Sequence, residues 1–111
     1  MVNKPMPILN PKTHEPMKAE DLYPLFNQEC SRQELDTEHA WIDIPEEVRD
    51  MYKYYRSTPL VRAYALEKAL DTPAHIYFKN ESVNPLGSHK INSALPQCYY
   101  CREEGVTNVT T

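Results

Sequence analysis

The chain has 111 residues, 41% of them hydrophobic and 25% charged, with a formal net charge of −4. At that length folding buries roughly two-thirds of the surface an unfolded chain exposes, which leaves room for one small core and not two. Residues 1–55 carry 11 acids and 6 bases and residues 56–111 carry 5 and 6, so neither half has the basic stripe of a nucleic-acid binder, and no apolar run reaches the roughly 18 residues of a membrane span.

Residues 1–17 hold Pro5, Pro7, Pro11 and Pro16 with little periodicity and read as an extended, proline-rich arm. Met1-Val2-Asn3-Lys4-Pro5 leads into no signal-peptide core. From Ala19 a helical pattern begins, with Leu22, Leu25 and Phe26 on one face. Residues 36–43 read as a connection that Trp41 and Ile42 anchor to an apolar neighbour. Pro45 suits a first helical position, Glu46 and Glu47 suit the positive end of the helix dipole, and Val48, Met51, Tyr52 and Tyr55 form an i, i+3, i+4, i+7 stripe. Ser57-Thr58-Pro59 stops that helix. Leu66, Ala69 and Leu70 predict a shorter one, ended by Asp71-Thr72-Pro73.

The period then changes. Residues 74–79, Ala-His-Ile-Tyr-Phe-Lys, read as a buried strand, and Asn84-Pro85-Leu86-Gly87 as a turn. Ser88 is a good N-cap for a helix whose stripe runs Ile91, Ala94, Leu95, Cys98 and Cys101, and Gly105 suits its end. Residues 106–111 read as another strand. Strand, turn, helix and strand make one βαβ unit, normally parallel with a right-handed crossover. The chain therefore divides into an arm (1–17), a helical segment (18–72) and one βαβ unit (73–111). Parallel sheets occur almost only when buried on both faces, so the unit is expected to be part of a larger α/β body. Pro96 removes the hydrogen bond that its own N–H would give to the Asn92 carbonyl, at a typical cost of about 3 kcal/mol, and a kink there would re-aim Asn92 and the turn before it.

Several chemistries are disfavoured. The only glycines are Gly87 and Gly105, so no Gly-rich phosphate loop fits. Cys30, Cys98 and Cys101 are too few and odd in number for a disulfide framework, which suits a reducing cytoplasmic setting. Cys98 and Cys101 fall on the apolar stripe and read as inert core, and with no second pair no metal site is expected. Tyr52, Tyr54, Tyr55, Tyr99 and Tyr100 read as helix-face packing, because stacking on single-stranded nucleic acid also needs a basic groove.

Lys90 stands apart. It is placed about two residues inside a helix N-terminus, after a glycine turn at the carboxyl end of a strand, the edge where ligands of open α/β sheets bind. A helix N-terminus attracts phosphate and disfavours a protonated amine, which is the environment a Schiff-base lysine uses; on spacing alone a solvated lysine on a first turn is the commoner alternative. Gly87-Ser88-His89-Lys90-Ile91-Asn92, reached through Tyr77-Phe78-Lys79-Asn80-Glu81, resembles the cofactor-lysine segment of tryptophan synthase beta chains, which are fold-type II enzymes dependent on pyridoxal phosphate. Arg56-Ser57-Thr58-Pro59-Leu60 matches the R-x-T-P-L signature before the first core strand of that family. Leu66-Glu67-Lys68-Ala69-Leu70, Gln97-Cys98-Tyr99-Tyr100 and Glu104-Gly105 also fall in place. Trp41-Ile42-Asp43-Ile44-Pro45 and the long arm resemble its second, alpha-subunit-independent branch.

The resemblance implies that Lys90 holds pyridoxal 5'-phosphate through its amine and shuttles the proton at the substrate's α-carbon. It implies that His89 lies beside the cofactor phosphate, with Ser88 and Asn92 in support. The implied reaction is β-replacement on L-serine by indole, giving L-tryptophan and water, in a homodimer with no alpha-type partner implied. The family's catalytic glutamate segment and its glycine-rich phosphate cradle would lie beyond Thr111, so the chain is expected to be the N-terminal portion of such a lyase and to be inactive alone. The alternative is a non-catalytic interaction module that keeps a relic of the lysine motif and docks through the edge of its last strand.

Overall fold

In the computed structural model, which describes residues 5–110, five helices and two short strands follow the order α1 (Ala19–Leu22), α2 (Gln28–Glu34), α3 (Glu46–Lys53), β1 (Leu60–Arg62), α4 (Tyr64–Ala69), β2 (Tyr77–Lys79) and α5 (Ile91–Glu103), with a 3₁₀ turn at Glu81–Val83. They fall into two compact units. One gathers the residues up to Pro45 with those from Pro96 onward, and the other spans Glu46–Leu95. None of the helices of the described residues is long and apolar enough to cross a membrane.

In the first unit the arm turns back on itself where an extended segment was expected. Leu9 bridges Pro16 in antiparallel sense, and the Met17 amide donates to the Ile8 carbonyl at 2.8 Å. Residues 1–4 lie outside the described residues. Helix α2 begins at Asn27, whose Oδ1 accepts from the Cys30 amide at 2.8 Å. The Glu104 carboxylate accepts from the Gln28 and Glu29 amides, each at 2.9 Å. Three donors that a helix start leaves unpaired are thereby satisfied, and a negative charge sits at the positive end of the dipole. Asn27 Nδ2 donates to the Gln97 carbonyl at 3.2 Å and to Cys101 Sγ at 3.1 Å, which ties the start of α2 to the second half of α5.

The second unit holds both buried apolar side chains of the described residues, Val48 and Ile91. Helix α3 starts where Pro45 and the Glu46-Glu47 pair predict. Its last residues tighten, with Tyr55 and Arg56 amides both donating to the Tyr52 carbonyl. Strand β1 pairs antiparallel with β2, Leu60 opposite Lys79, Val61 opposite Phe78 and Arg62 opposite Tyr77. Arg62 also forks onto the Glu67 carboxylate at 3.0 Å, and that carboxylate accepts from the Ile76 amide at 2.7 Å. One ion pair thus joins β1, α4 and the entry to β2. Asp71, at φ +46, turns the chain out of α4 in the left-handed region that Asp tolerates.

Four further expectations change. The strand read at 74–79 is shorter, Tyr77–Lys79, and exposed, with Tyr77 and Phe78 about half accessible. Residues 106–110 form no strand, and Thr111 lies outside the described residues. Among the described residues the sheet contains only the antiparallel β1–β2 pair and no parallel one. A parallel pair stripped of covering layers has nothing to bury its faces against. Trp41, expected to be anchored, is 92% exposed. The end of α5 follows the sequence closely: Gly105 adopts φ +75, its amide donates to the Arg102 carbonyl and the Val106 amide to the Cys101 carbonyl, a helix stop that satisfies two free carbonyls.

Pro96 lies inside α5 and leaves the Asn92 carbonyl without its helical donor. That carbonyl accepts instead from the Tyr52 hydroxyl at 2.6 Å, so the orphaned acceptor becomes the anchor between α3 and the first turns of α5. Removing the hydroxyl strands a half-buried acceptor. Tyr52→Phe is expected to lower the unfolding free energy by about 1–3 kcal/mol. In a Pro96→Ala background, where the restored N–H serves Asn92, that cost should shrink toward zero. Denaturant midpoints of the four members of this double-mutant cycle check it.

Candidate functional site

The lysine turn is built by side chains that hold the backbone. Asn84 is 6% exposed and fully engaged. Its Oδ1 accepts from the Leu86 and Ser88 amides at 3.1 and 3.3 Å, and its Nδ2 donates to the Ser88 carbonyl at 2.9 Å. Between them Gly87 sits at φ +61, a conformation that costs an L side chain energy and glycine little, and its amide donates to the Asn84 carbonyl at 2.9 Å. The chain then enters α5 through a tight turn. Ile91, Asn92 and Ser93 amides donate to carbonyls three residues back, and the Ala94 amide makes the first α-helical bond, to Lys90.

Lys90 therefore stands one residue before the first full helical position and not two inside the helix. The reason is that turn: Ser88 Oγ accepts from the Lys90 amide at 3.3 Å, so the predicted cap operates, but the i−3 bonds delay the helix. The Lys90 side chain is exposed, and its amine has no hydrogen-bond or ion-pair partner among the described residues. His89 is likewise exposed, and its ring is unpartnered among them. Ser88 and Asn92 flank the pair and are both engaged with the backbone or with other side chains.

Five residues that sequence reasoning left out of the site converge on the same turn. Thr58, 6% exposed, donates through its hydroxyl to Glu81 at 2.6 Å. Asn84 Nδ2 donates to the other Glu81 oxygen at 3.2 Å, and Asn92 Nδ2 approaches that oxygen at 3.5 Å. The Tyr55 hydroxyl donates to Asn92 Oδ1 at 3.1 Å, beside the Tyr52 bond to the Asn92 carbonyl. The tyrosines carried a helix-face signal, and Thr58 and Glu81 fell inside the quoted motifs. Nothing in local spacing joins Thr58 to Glu81. Cys98, expected in the core, is exposed, while Cys30 and Cys101 are half-buried. No group of three His, Cys, Asp or Glu side chains among the described residues could hold a metal ion.

The electrostatics of the turn follow the same bonds. The Thr58 hydroxyl, helped by Asn84, Asn92 and the Lys79 charge, holds the Glu81 carboxyl below its ordinary range against the opposing effect of burial. Burial pushes the Tyr52 and Tyr55 phenols up, so both remain donors at neutral pH. A carboxyl whose folded value is depressed contributes stability above its unfolded value, about 4.3, and loses it as pH falls through the folded one. Denaturant midpoints should accordingly fall on acidification below about pH 4.3, and Glu81→Gln should flatten part of that fall.

A primary amine that is exposed and unpaired at the start of a helix of 13 residues, on a turn fixed by Asn84, is suited to covalent capture of a carbonyl group, and the helix end beside it suits a phosphate. Comparison with known proteins agrees with this chemistry. The profile of the family described as "Pyridoxal-phosphate dependent enzyme" matches residues 51–111. The chain is 51% identical over 105 residues to "Tryptophan synthase beta chain 2" of Aquifex aeolicus and 48% identical over 105 residues to the protein of the same name in Methanosarcina mazei. It is 51% identical over 106 residues to "Tryptophan synthase beta chain" of Thermococcus onnurineus. Each match takes in 95% of this chain and 24% of the relative, so the chain spans about a quarter of the length of the curated relatives it matches. With the lysine turn, both strands and all of α5 inside the matched region, the chain belongs to the pyridoxal-phosphate dependent enzyme family.

Proposed function

We propose that these residues are the lysine-bearing N-terminal portion of a lyase of the tryptophan synthase beta type, which replaces the hydroxyl of L-serine with indole to give L-tryptophan and water. The observation that carries this reading is the exposed, unpaired Lys90 amine on its rigid glycine turn, in a chain about half identical to proteins named tryptophan synthase beta chain. The residues present fit the covalent half of a pyridoxal phosphate site: an amine free to bond the aldehyde carbon, next to a helix N-terminus. When bound, pyridoxal 5'-phosphate supplies the electron sink that lets a substrate α-proton leave and a β-hydroxyl be expelled.

In this reading Lys90 would hold the cofactor and would take and return the proton at the substrate's α-carbon. His89, adjacent on the turn, would be available to the cofactor phosphate. Asn84 and Ser88 keep the turn from relaxing, so the amine emerges in one direction. In the longer protein residues 73–111 open the cofactor-binding domain after the helical segment 18–72 and the arm 1–17. The apolar side chains left exposed here support that arrangement, Trp41 at 92%, Leu25 at 79% and Val109 at 51% among them, since apolar surface on this scale marks faces that pack on something else. In this reading the longer protein is a cytoplasmic homodimer.

Reduction of the full-length protein with borohydride in the presence of pyridoxal phosphate is expected to fix the cofactor to the peptide carrying Lys90. Lys90→Ala should abolish that label and lower serine–indole turnover by at least about a thousandfold. A label on another lysine would refute the assignment. The isolated 111 residues are expected to give no turnover of serine and indole.

A further inference from the structure

Lys90 is bracketed by two residues, each two positions away, and both are held through one carboxylate. On the near side the path runs Glu81 to Asn84 Nδ2, then from Asn84 to the amide and carbonyl of Ser88, then from the Ser88 hydroxyl to the Lys90 amide. On the far side Glu81 receives the Asn92 amide group, at 3.5 Å, while the Tyr55 hydroxyl holds the oxygen end of that amide at 3.1 Å. Thr58, just before β1, donates to the remaining Glu81 oxygen at 2.6 Å. The Lys79 ammonium, at the end of β2, donates to the Thr58 carbonyl, so the carboxylate is itself seated on the β1–β2 pair.

We infer that Glu81 is the positioning residue of Lys90: its carboxylate locks the segments before and after the lysine to the β1–β2 pair, and so fixes the direction in which the amine leaves the turn. The inference rests on the assignment of Lys90 as the cofactor lysine.

The chemistry of the hub suits a carboxylate. Three donors arrive at it, a hydroxyl and two amide NH₂ groups, and only an ionised carboxylate accepts from all three. The lowered titration of Glu81 agrees with that state at neutral pH. A glutamine at the same place can keep its oxygen toward both asparagines by turning its NH₂ onto the Thr58 hydroxyl, which then accepts instead of donating, so it removes the charge without emptying the hub. A leucine presents no acceptor, both asparagines lose their partner, and Asn84 cannot reorient without releasing the Ser88 amide and carbonyl together. Bond formation between an amine and a carbonyl carbon depends steeply on approach geometry, and an error of about 1 Å costs up to about a hundredfold in rate. Glu81 touches neither substrate nor cofactor in this account and acts only through the turn.

The test uses the full-length protein without serine or indole, so that capture is read apart from turnover. Apoprotein is mixed with pyridoxal phosphate, quenched with borohydride at intervals, and the labelled Lys90 peptide is quantified by mass. Visible circular dichroism of the bound chromophore reports its orientation, and far-ultraviolet dichroism and thermal midpoint report the fold. Glu81→Leu is expected to slow labelling of Lys90 about tenfold to a hundredfold and to change the visible dichroism while the far-ultraviolet spectrum stays as in the parent. Glu81→Asp, which keeps the charge, should recover part of the rate. Parent-like labelling and dichroism in Glu81→Leu would overturn the inference, as would a loss confined to the thermal midpoint. If Glu81→Leu does not fold, Tyr55→Phe decides: it leaves the hub charged but frees the Asn92 side-chain oxygen, and labelling should slow several-fold with altered dichroism, whereas parent behaviour overturns the inference. A parent protein that labels at another lysine would instead remove the assignment of Lys90 on which the inference stands.

Discussion

Proline at position 96 cannot donate the hydrogen bond that the Asn92 carbonyl would receive in an unbroken helix, and the Tyr52 hydroxyl takes its place at 2.6 Å. A buried or half-buried carbonyl has to be satisfied somewhere, and here the partner comes from a helix 40 residues away in sequence. The consequence reaches past one bond. With its carbonyl held by Tyr52 and its side-chain oxygen by Tyr55, Asn92 can turn only its NH₂ group toward Glu81. The helix irregularity thereby becomes a fixed point for the segment that carries Lys90.

The polar groups of the second unit are better satisfied than its apolar ones. Buried side-chain nitrogens and oxygens among the described residues all have partners, yet Val48 and Ile91 are the only buried apolar side chains there. A hydrogen-bonded frame with so little apolar burial obtains little of the hydrophobic stabilisation that holds ordinary domains together. The same imbalance explains why β2 is exposed and why residues 106–110 remain outside any ladder: strands of an α/β body draw their burial from layers contributed by many elements. A chain that spans 24% of the length of its relatives contains only a few of those elements.

Within the turn, rigidity and chemical availability are divided among residues. Asn84, Thr58 and Glu81 use their polar atoms to fix backbone, while Lys90 and His89 keep theirs free. That division suits covalent capture, because an amine so placed is presented without first having to break an ion pair and on a backbone already ordered.

What the sequence determined by itself is local. Pro45 with Glu46-Glu47 sets the start of α3, Asp71 ends α4, Asn84 and Gly87 make the turn, Gly105 stops α5, and the Gly87-Ser88-His89-Lys90 segment identifies the family. Each of these depends on neighbours within a few residues, where backbone sterics and capping dominate. The tertiary structure alone decided the antiparallel sense of the β1–β2 pair, the exposure of Trp41 and Cys98, and the convergence of Thr58, Asn84 and Asn92 on Glu81. The convergence joins positions as far as 23 residues apart, and periodicity carries no record of which donor meets which acceptor across such distances. Pro96 lies between the two cases: its missing N–H is legible in the sequence, but the hydroxyl that compensates for it becomes visible only once the chain has folded.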